Sequence, residues 1–467
     1  MKTKCGADTC SKCGKCKLTQ FAGSLQRKSD MSALTQRFTA DNEFRSGECY
    51  GIAFDVGTTS VVGLLFDLVS GRLIGVKAEA NPQAVHGADV ISRIMFAGES
   101  RENLMLLRSE IVECLNRITK ALSETHGVHA HSILDAVIVG NTTMSHLILG
   151  VDPKGLALAP FTPVFCESAP VNAVEFGLSI GGDANVNLLS NIAGHVGSDI
   201  TAGIIASGIM EKRGNHLLID VGTNGEIVLC ADGRALACST AAGPAFEGAS
   251  IHQGMRAATG AIERVDIDGR DVQVKVIDGK MPTGICGSGI IDAVAETLKE
   301  GLVDKTGRLL TAEKAIERGA SEELATRLRD GEAGREFVLS YVDGADDVVI
   351  TQSDIREVQL AKAAIRAGVR LMLSEFGLEE SDLQYVYIAG AFGNHIRTRS
   401  AALIGLIPDI GDEKILYIGN SAGIGAGMAL ISNTEREKAA KAAKEVRHVE
   451  LAANPAFQDV YLAAMKF

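Results

Sequence analysis

Residues 55–59 read Asp-Val-Gly-Thr-Thr and residues 220–223 read Asp-Val-Gly-Thr, each set between apolar runs, "GIAFDVGTTSVVGLLFDL" and "LLIDVGTNGEIVLCADG". Gly57 and Gly222 let a backbone come close to an anion and turn its N–H groups toward it. Thr58, Thr59, Thr223 and the adjoining Asn224 add further donors. A bare carboxylate at such a turn would repel phosphate, so Asp55 and Asp220 imply a Mg2+ ion between acid and phosphate, met largely through its waters. Glu226, six positions after Asp220, is a candidate for positioning a water. Two such turns, one in each half, are expected to grip a polyphosphate from both sides of a cleft. A third segment, "YIAGAFGNH" at 387–395, ends an apolar strand in small residues. Gly390, Ala391, Phe392 and Gly393 there suit a flat adenine and its ribose. Gly243 and Glu247, in "GPAFEGAS", follow a Gly-Pro turn and are assigned to the ribose or to Mg2+.

Sulfur is the second kind of chemistry. Cys5, Cys10, Cys13 and Cys16 fall within twelve residues, whereas the other six of the ten cysteines are scattered. Four thiols this close cannot all pair as disulfides without strain, but a metal or iron–sulfur centre accepts four thiolates from short spacings. A 4Fe–4S cluster is the first expectation and structural zinc the alternative. Residues 18–48 lack a buried face and read as a linker.

The elements that must position these groups alternate between strand and helix. "YGIAFDVGTTSVVGLLFDL" and "SGRLIGVKAEA" predict a three-stranded antiparallel start. Leu104, Leu107, Ile111, Leu115, Ile118 and Leu122 recur at helical spacing across 101–126, and "LDAVIVGN" predicts the strand that follows. The second half repeats the plan with "HLLIDVGTNGEIVLCADGRALACST", the amphipathic "DIREVQLAKAAIRAGVRLMLSEFG" and "LQYVYIAGAFGN". The reading is a duplicated α/β unit, divided as 1–17 Cys-rich segment, 18–48 linker, 49–215 first lobe and 216–467 second lobe. A net charge of −12 argues against nucleic acid or an acidic membrane as partner. No run of about 18 apolar residues predicts a membrane span, and the polar N-terminus is no secretory signal. A cytoplasmic protein is expected.

The ordered trio of turns resembles the ATPase fold shared by actin, sugar kinases, acetate kinase and the large heat-shock chaperones, a ribonuclease H-like α/β fold with two lobes around a nucleotide cleft. In that resemblance Gly140, Asn141 and Thr142 of "VIVGNTTMSHLILG" border the nucleotide, and "GNSAGIGAGMALIS" is a connecting segment. The motifs "NPQAVHGADVISRI", "GNTTMSHLILG", "STAAGPAFEGASI", "GICGSGIIDAVAE" and the closing "VELAANPAFQDVYLAAMKF" narrow it. Together they look like the reductive activators of corrinoid proteins, ATPases that return cobalt to Co(I) in methyl-transfer systems. The resemblance implies ATP and Mg2+ as ligands, a corrinoid protein as partner and a low-potential electron donor; it leaves a homodimer open. The family pattern carries either a ferredoxin-like N-terminal domain or C-terminal 4Fe–4S segments. Here only the short Cys cluster stands in their place. A small-molecule kinase and a chaperone-like nucleotide switch are the alternatives of the same fold.

Other polar residues have structural readings beside functional ones. His195 and Asp199 suit either the cleft or a helix start and core. Arg356, Gln359 and Lys362, three apart on a helix, suit a solvated or subunit-contacting face as well as a nucleotide contact.

Overall fold

The computed structural model describes residues 48–332, 334–390 and 396–467. The described residues form two compact units, 48–211 with 420–448, and 212–419 with 449–467. The linear division at 215/216 differs from these units in two respects: their boundary is 211/212, and residues 420–448 belong to the first.

In the first unit, β1 (Tyr50–Val56), β2 (Ser60–Asp67) and β3 (Leu73–Ala80) form the antiparallel series expected from the sequence. Helices α1 (Val90–Glu99) and α2 (Arg101–His126) lead to β4 (Ile133–Gly140), which pairs parallel with β1. Helix α3 (Thr142–Leu149), the short β5 (Val171–Asn172), β6 (Asn185–Leu188) and α4 (Ser198–Ser207) follow. The sheet order is β3-β2-β1-β4-β6-β5. Both faces of β1 are covered, so its Ile52-Ala53-Phe54 run is continuously apolar rather than alternating. The two-residue period of a strand still sorts its side chains. Ile52 and Phe54 pack with Leu107, Ile111, Leu115 and Ile118 of α2. Ala53 packs on the opposite face, with Phe66, Ala426 and Leu430. Helix α2 buries all six residues picked out by periodicity, begins at Ser100, whose side chain accepts from Asn103 N, and ends at the left-handed Gly127.

The second unit repeats this plan. Strands β7 (His216–Val221), β8 (Gly225–Ala231) and β9 (Arg234–Thr240) form an antiparallel series. Three small strands, β10 (Ala261–Ile267), β11 (Val272–Val276) and β12 (Gly284–Ile285), precede α5 (Gly287–Lys299). A second three-stranded sheet, β13 (Leu328–Gly331), β14 (Gly334–Ser340) and β15 (Val348–Thr351), leads into α6 (Gln352–Phe376). Strand β16 (Tyr385–Ala389) then pairs parallel with β7, and β17 (Ile415–Gly419) parallel with β16. A meander extended by parallel strands on the side of its first strand thus occurs twice, which is the predicted duplication.

Helices α7 (Ser421–Ile431) and α8 (Asn433–Glu445) complete the first unit. Arg436 of α8 binds Asp135 of β4 at 3.0 Å. The small residues of α7 serve contact with α4: a Cβ on Gly425 would stand 2.0 Å from the carbonyl oxygen of Ala202. Close helix contact of this kind needs glycine.

Candidate nucleotide site

In the first unit Asp55 sits one residue before the end of β1, and its Oδ2 accepts from Asn420 Nδ2 at 2.9 Å. Asn420 also caps α7, its Oδ1 accepting from Gly423 N at 2.7 Å. Burial pushes the Asp55 carboxyl up to about 6, and the Asn420 bond only partly offsets this. The sign for stability follows from that direction. A carboxyl whose folded pKa is raised favours the fold when protonated, so its contribution is present at low pH and is lost as pH rises from about 4 through about 6. Without a cation, Asp55→Asn should therefore stabilise the protein at pH 8 by roughly 1–3 kcal/mol and change little at pH 4. Chemical denaturation at the two pH values measures this; equal effects at both would remove the assigned shift.

The turn itself closes with Gly57 N donating to Ser60 O at 2.9 Å. Asn141 caps α3 through its Oδ1 and donates from Nδ2 to Thr58 Oγ1 at 3.0 Å. Gly140 lies against β1, where a Cβ would be 2.5 Å from Val56 O. Gly140 and Asn141 thus adjoin the turn. Thr142 does not present its hydroxyl there: it is buried and donates to Ala193 O at 2.6 Å. Buried His146 links to Thr142 O at 2.8 Å through Nδ1 and accepts from Val164 N through Nε2, with its pKa lowered by burial. It is a neutral structural histidine. His195 rests edge-on against Phe161, and Asp199 lies in the first turn of α4.

In the second unit Asp220 of β7 stands directly opposite Glu226 of β8, and Glu226 opposite Ser239 of β9. Opposed residues of a ladder share a face, so the three form one row across three strands. Ser239 Oγ donates to Glu226 Oε1 at 3.1 Å. Gly222 N donates to Asn224 O at 2.9 Å, and Thr223 Oγ1 donates to Glu247 Oε1. Gly243, at φ 78°, opens the short helical turn that carries Glu247. Gly390, at φ 97°, comes from the third motif: a Cβ there would stand 3.0 Å from Asp220 Oδ1. Asp220, Glu226, Thr223, Glu247 and Gly390 are therefore brought together. Ala391, Phe392 and Gly393 lie outside the described residues. Just beyond them, Arg397 anchors the chain to Asp292 at 2.8 Å, to Asp266 and to Val265 O.

The reading of 356, 359 and 362 as one solvated or subunit-contacting face is corrected for two of them. Arg356 is exposed, but Gln359 and Lys362 are buried. Gln359 donates to Met465 O at 2.8 Å and Lys362 to Lys466 O, so they hold residues 465–467 against α6.

Cys5, Cys10, Cys13 and Cys16 lie outside the described residues. Among the described residues no group of three or more His, Cys, Asp or Glu side chains could hold a metal ion. Of the six cysteines there, five are buried and Cys166 is half-buried. Burial pushes Cys114 up to about 11 and Cys230 up to about 12, and raises Cys166 and Cys238.

Sequence reasoning missed Asn420 as the partner of Asp55, and Asn81 and Arg93 as donors to the carbonyls of Gly57 and Thr58. The signal available was an Asn-Pro pair and an Arg at helical spacing with Val90, Ile94 and Ala97 on an otherwise apolar face.

A duplicated meander whose first strand ends each time in Asp-x-Gly-Thr defines an ATPase-type, nucleotide-binding α/β protein of the actin and sugar-kinase class. Family comparison agrees: residues 50–212 match the RACo middle region, and 214–467 match the C-terminal, ASKHA domain of RACo. The chain belongs to the RACo family, the reductive activators of corrinoid proteins. It is 39% identical over 435 residues to the corrinoid activation enzyme RamQ of Eubacterium limosum, spanning 92% of this chain and 72% of RamQ. It is 24% identical over 452 residues to a reductase of the Co(II) methylated amine-specific corrinoid protein from Methanosarcina barkeri, with 90% and 77% covered. A solved reductive activator for a corrinoid, iron–sulfur protein superposes with a TM-score of 0.80 at 40% identity, over 91% of this chain and 67% of that one.

Proposed function

We propose that the protein is an ATP-dependent reductive activator that returns the cobalt of a corrinoid methyl-transfer protein from Co(II) to Co(I). The observation that carries this reading is the match to RamQ across 92% of the chain. The two Asp-x-Gly-Thr turns supply the ATPase part of it. In this reading Gly57, Thr58, Thr59, Gly222, Thr223 and Asn224 hold phosphate. Asp55 and Asp220 face Mg2+ through its waters, as a hard cation that keeps much of its hydration requires. Glu226, oriented by Ser239, positions the attacking water, while Glu247 orients Thr223. Gly243 and Gly390 to Gly393 take the nucleoside.

Cobalt is the substrate, and Co(I) lies at a very low potential. ATP can supply the difference only if nucleotide binding or hydrolysis changes the protein's affinity for the two cobalt states. The four N-terminal thiols fit an iron–sulfur cluster by the chemistry of their donor set. When bound, such a cluster would take up and pass on one electron, and Cys5, Cys10, Cys13 and Cys16 would hold it. A 4Fe–4S cluster suits their spacing.

The test mixes anaerobic protein with a Co(II) corrinoid protein and a low-potential reductant, and follows the Co(I) absorbance. Co(I) is expected to accumulate only with ATP. Equal rates without ATP, or phosphorylation of a metabolite with no Co(I) formed, would overturn the reading in favour of a kinase.

A further inference from the structure

The segment "NPQAVHGADVISR", residues 81–93, has so far no task, and its contacts give it one. Asn81 is buried; its N–H donates to Thr59 O at 3.0 Å and its Nδ2 to Gly57 O at 2.8 Å. Arg93 is fully buried in α1, and its Nη2 donates to Thr58 O at 2.6 Å. Three consecutive carbonyls of the first turn, at 57, 58 and 59, are thus all held from the same segment.

The remaining bonds of that segment keep the two residues in place. Arg93 Nε donates to Gly87 O at 2.9 Å and Nη1 to Gln83 Oε1 at 3.3 Å. Gln83 Nε2 is itself fixed on Leu107 O of α2 at 2.9 Å. Asn81 Oδ1 accepts from Gln83 N at 3.0 Å. Gly87 is where the chain must approach closely, since a Cβ there would stand 2.8 Å from Arg93 N. The guanidinium fork therefore spans three acceptors in directions set by its plane, which an ammonium group cannot reproduce.

We infer that Asn81 and Arg93 are positioning residues for the nucleotide, acting through the peptide planes of the Gly57–Thr58–Thr59 turn. In a planar trans peptide the C=O of one residue and the N–H of the next point in opposite directions. Holding the carbonyls of Gly57 and Thr58 from behind therefore aims the N–H groups of Thr58 and Thr59 away from the segment and prevents those planes from flipping. Preorganised donors need no reorganisation when the phosphate arrives. The cation of Arg93 behind the Thr58 carbonyl adds positive charge on the side that faces away from the ligand. The inference rests on the ATP reading above and assigns a further part of the chain to it.

Two substitutions test this in the full chain. Asn81→Ser keeps a cap acceptor for Gln83 N, because serine is a good N-cap, but is too short to reach Gly57 O. Arg93→Lys keeps the charge and loses the fork. Both are titrated calorimetrically with a non-hydrolysable ATP analogue and with AMP, after circular dichroism and thermal unfolding confirm the fold. The expected result is an about tenfold or greater loss of affinity for the analogue, with AMP affected less than about twofold. A structural role alone would weaken both ligands together. If Arg93→Lys does not fold, the milder Asn81→Ser decides the matter. Unchanged analogue affinity in folded Asn81→Ser, or equal loss for AMP, overturns the positioning role while leaving the ATP reading intact. Failure of the wild-type protein to bind the analogue overturns both.

Discussion

Asp220→Asn should leave the fold intact and lower ATP hydrolysis by about a hundredfold or more, because positioning and charge neutralisation supply most of phosphoryl-transfer catalysis. The substitution is isosteric, and the row formed with Glu226 and Ser239 depends on strand register, which one amide does not alter. What changes is the negative charge next to Gly390. The metal would keep its waters but lose the acid that orients them. Asp55→Asn should behave similarly, its contact with Asn420 being replaceable by an amide pair. Phosphate release, measured alongside near-identical circular dichroism, decides the point. Turnover within a few-fold of wild type in both variants would remove Mg2+ from these two carboxylates.

Replacing Cys10 and Cys13 together by serine should abolish bound iron and any brown colour while ATP-analogue binding stays unchanged. Two of four thiolates are the least that an iron–sulfur centre cannot lose, since the hydroxyl of serine is neutral at neutral pH and a poor soft-metal ligand. Co(I) formation should then fall to background even with ATP present. Metal analysis gives the contrary result its form: stoichiometric zinc without iron or sulfide in the wild-type protein would make the Cys segment structural and place the electron carrier elsewhere.

Much of this molecule is legible in the sequence because its signals are local. The period of α2 names six of its ten buried residues, and the Asp-x-Gly-Thr turns lie where short continuous apolar runs meet glycine. Asn420 is different. It reaches Asp55 across 365 positions, and no local pattern announces such a pairing. Arg93 was hidden for a related reason: an arginine reads as surface until three carbonyl and amide oxygens are shown to surround it. Gln359 and Lys362 misled in the same way. Their side chains are long enough to satisfy the backbone of residues 465 and 466 while buried, and composition alone assigns such residues to solvent. Thr142 directly follows Asn141, which reaches Thr58 of the turn, yet its own hydroxyl goes to Ala193, because the first turn of a helix directs successive side chains to different sides.

The burial of Cys114, Cys230 and Cys238 bears on how the protein can be loaded and labelled. Thiolate, and not thiol, captures iron and reacts with alkylating reagents. Cys114, Cys230 and Cys238 are buried and held protonated at neutral pH. Iron and sulfide supplied during reconstitution therefore meet little competition from those three, and they offer iodoacetamide little thiolate. If the proposed cluster sits on Cys5, Cys10, Cys13 and Cys16, brief alkylation followed by peptide mapping would measure how many of those four thiols it leaves unfilled.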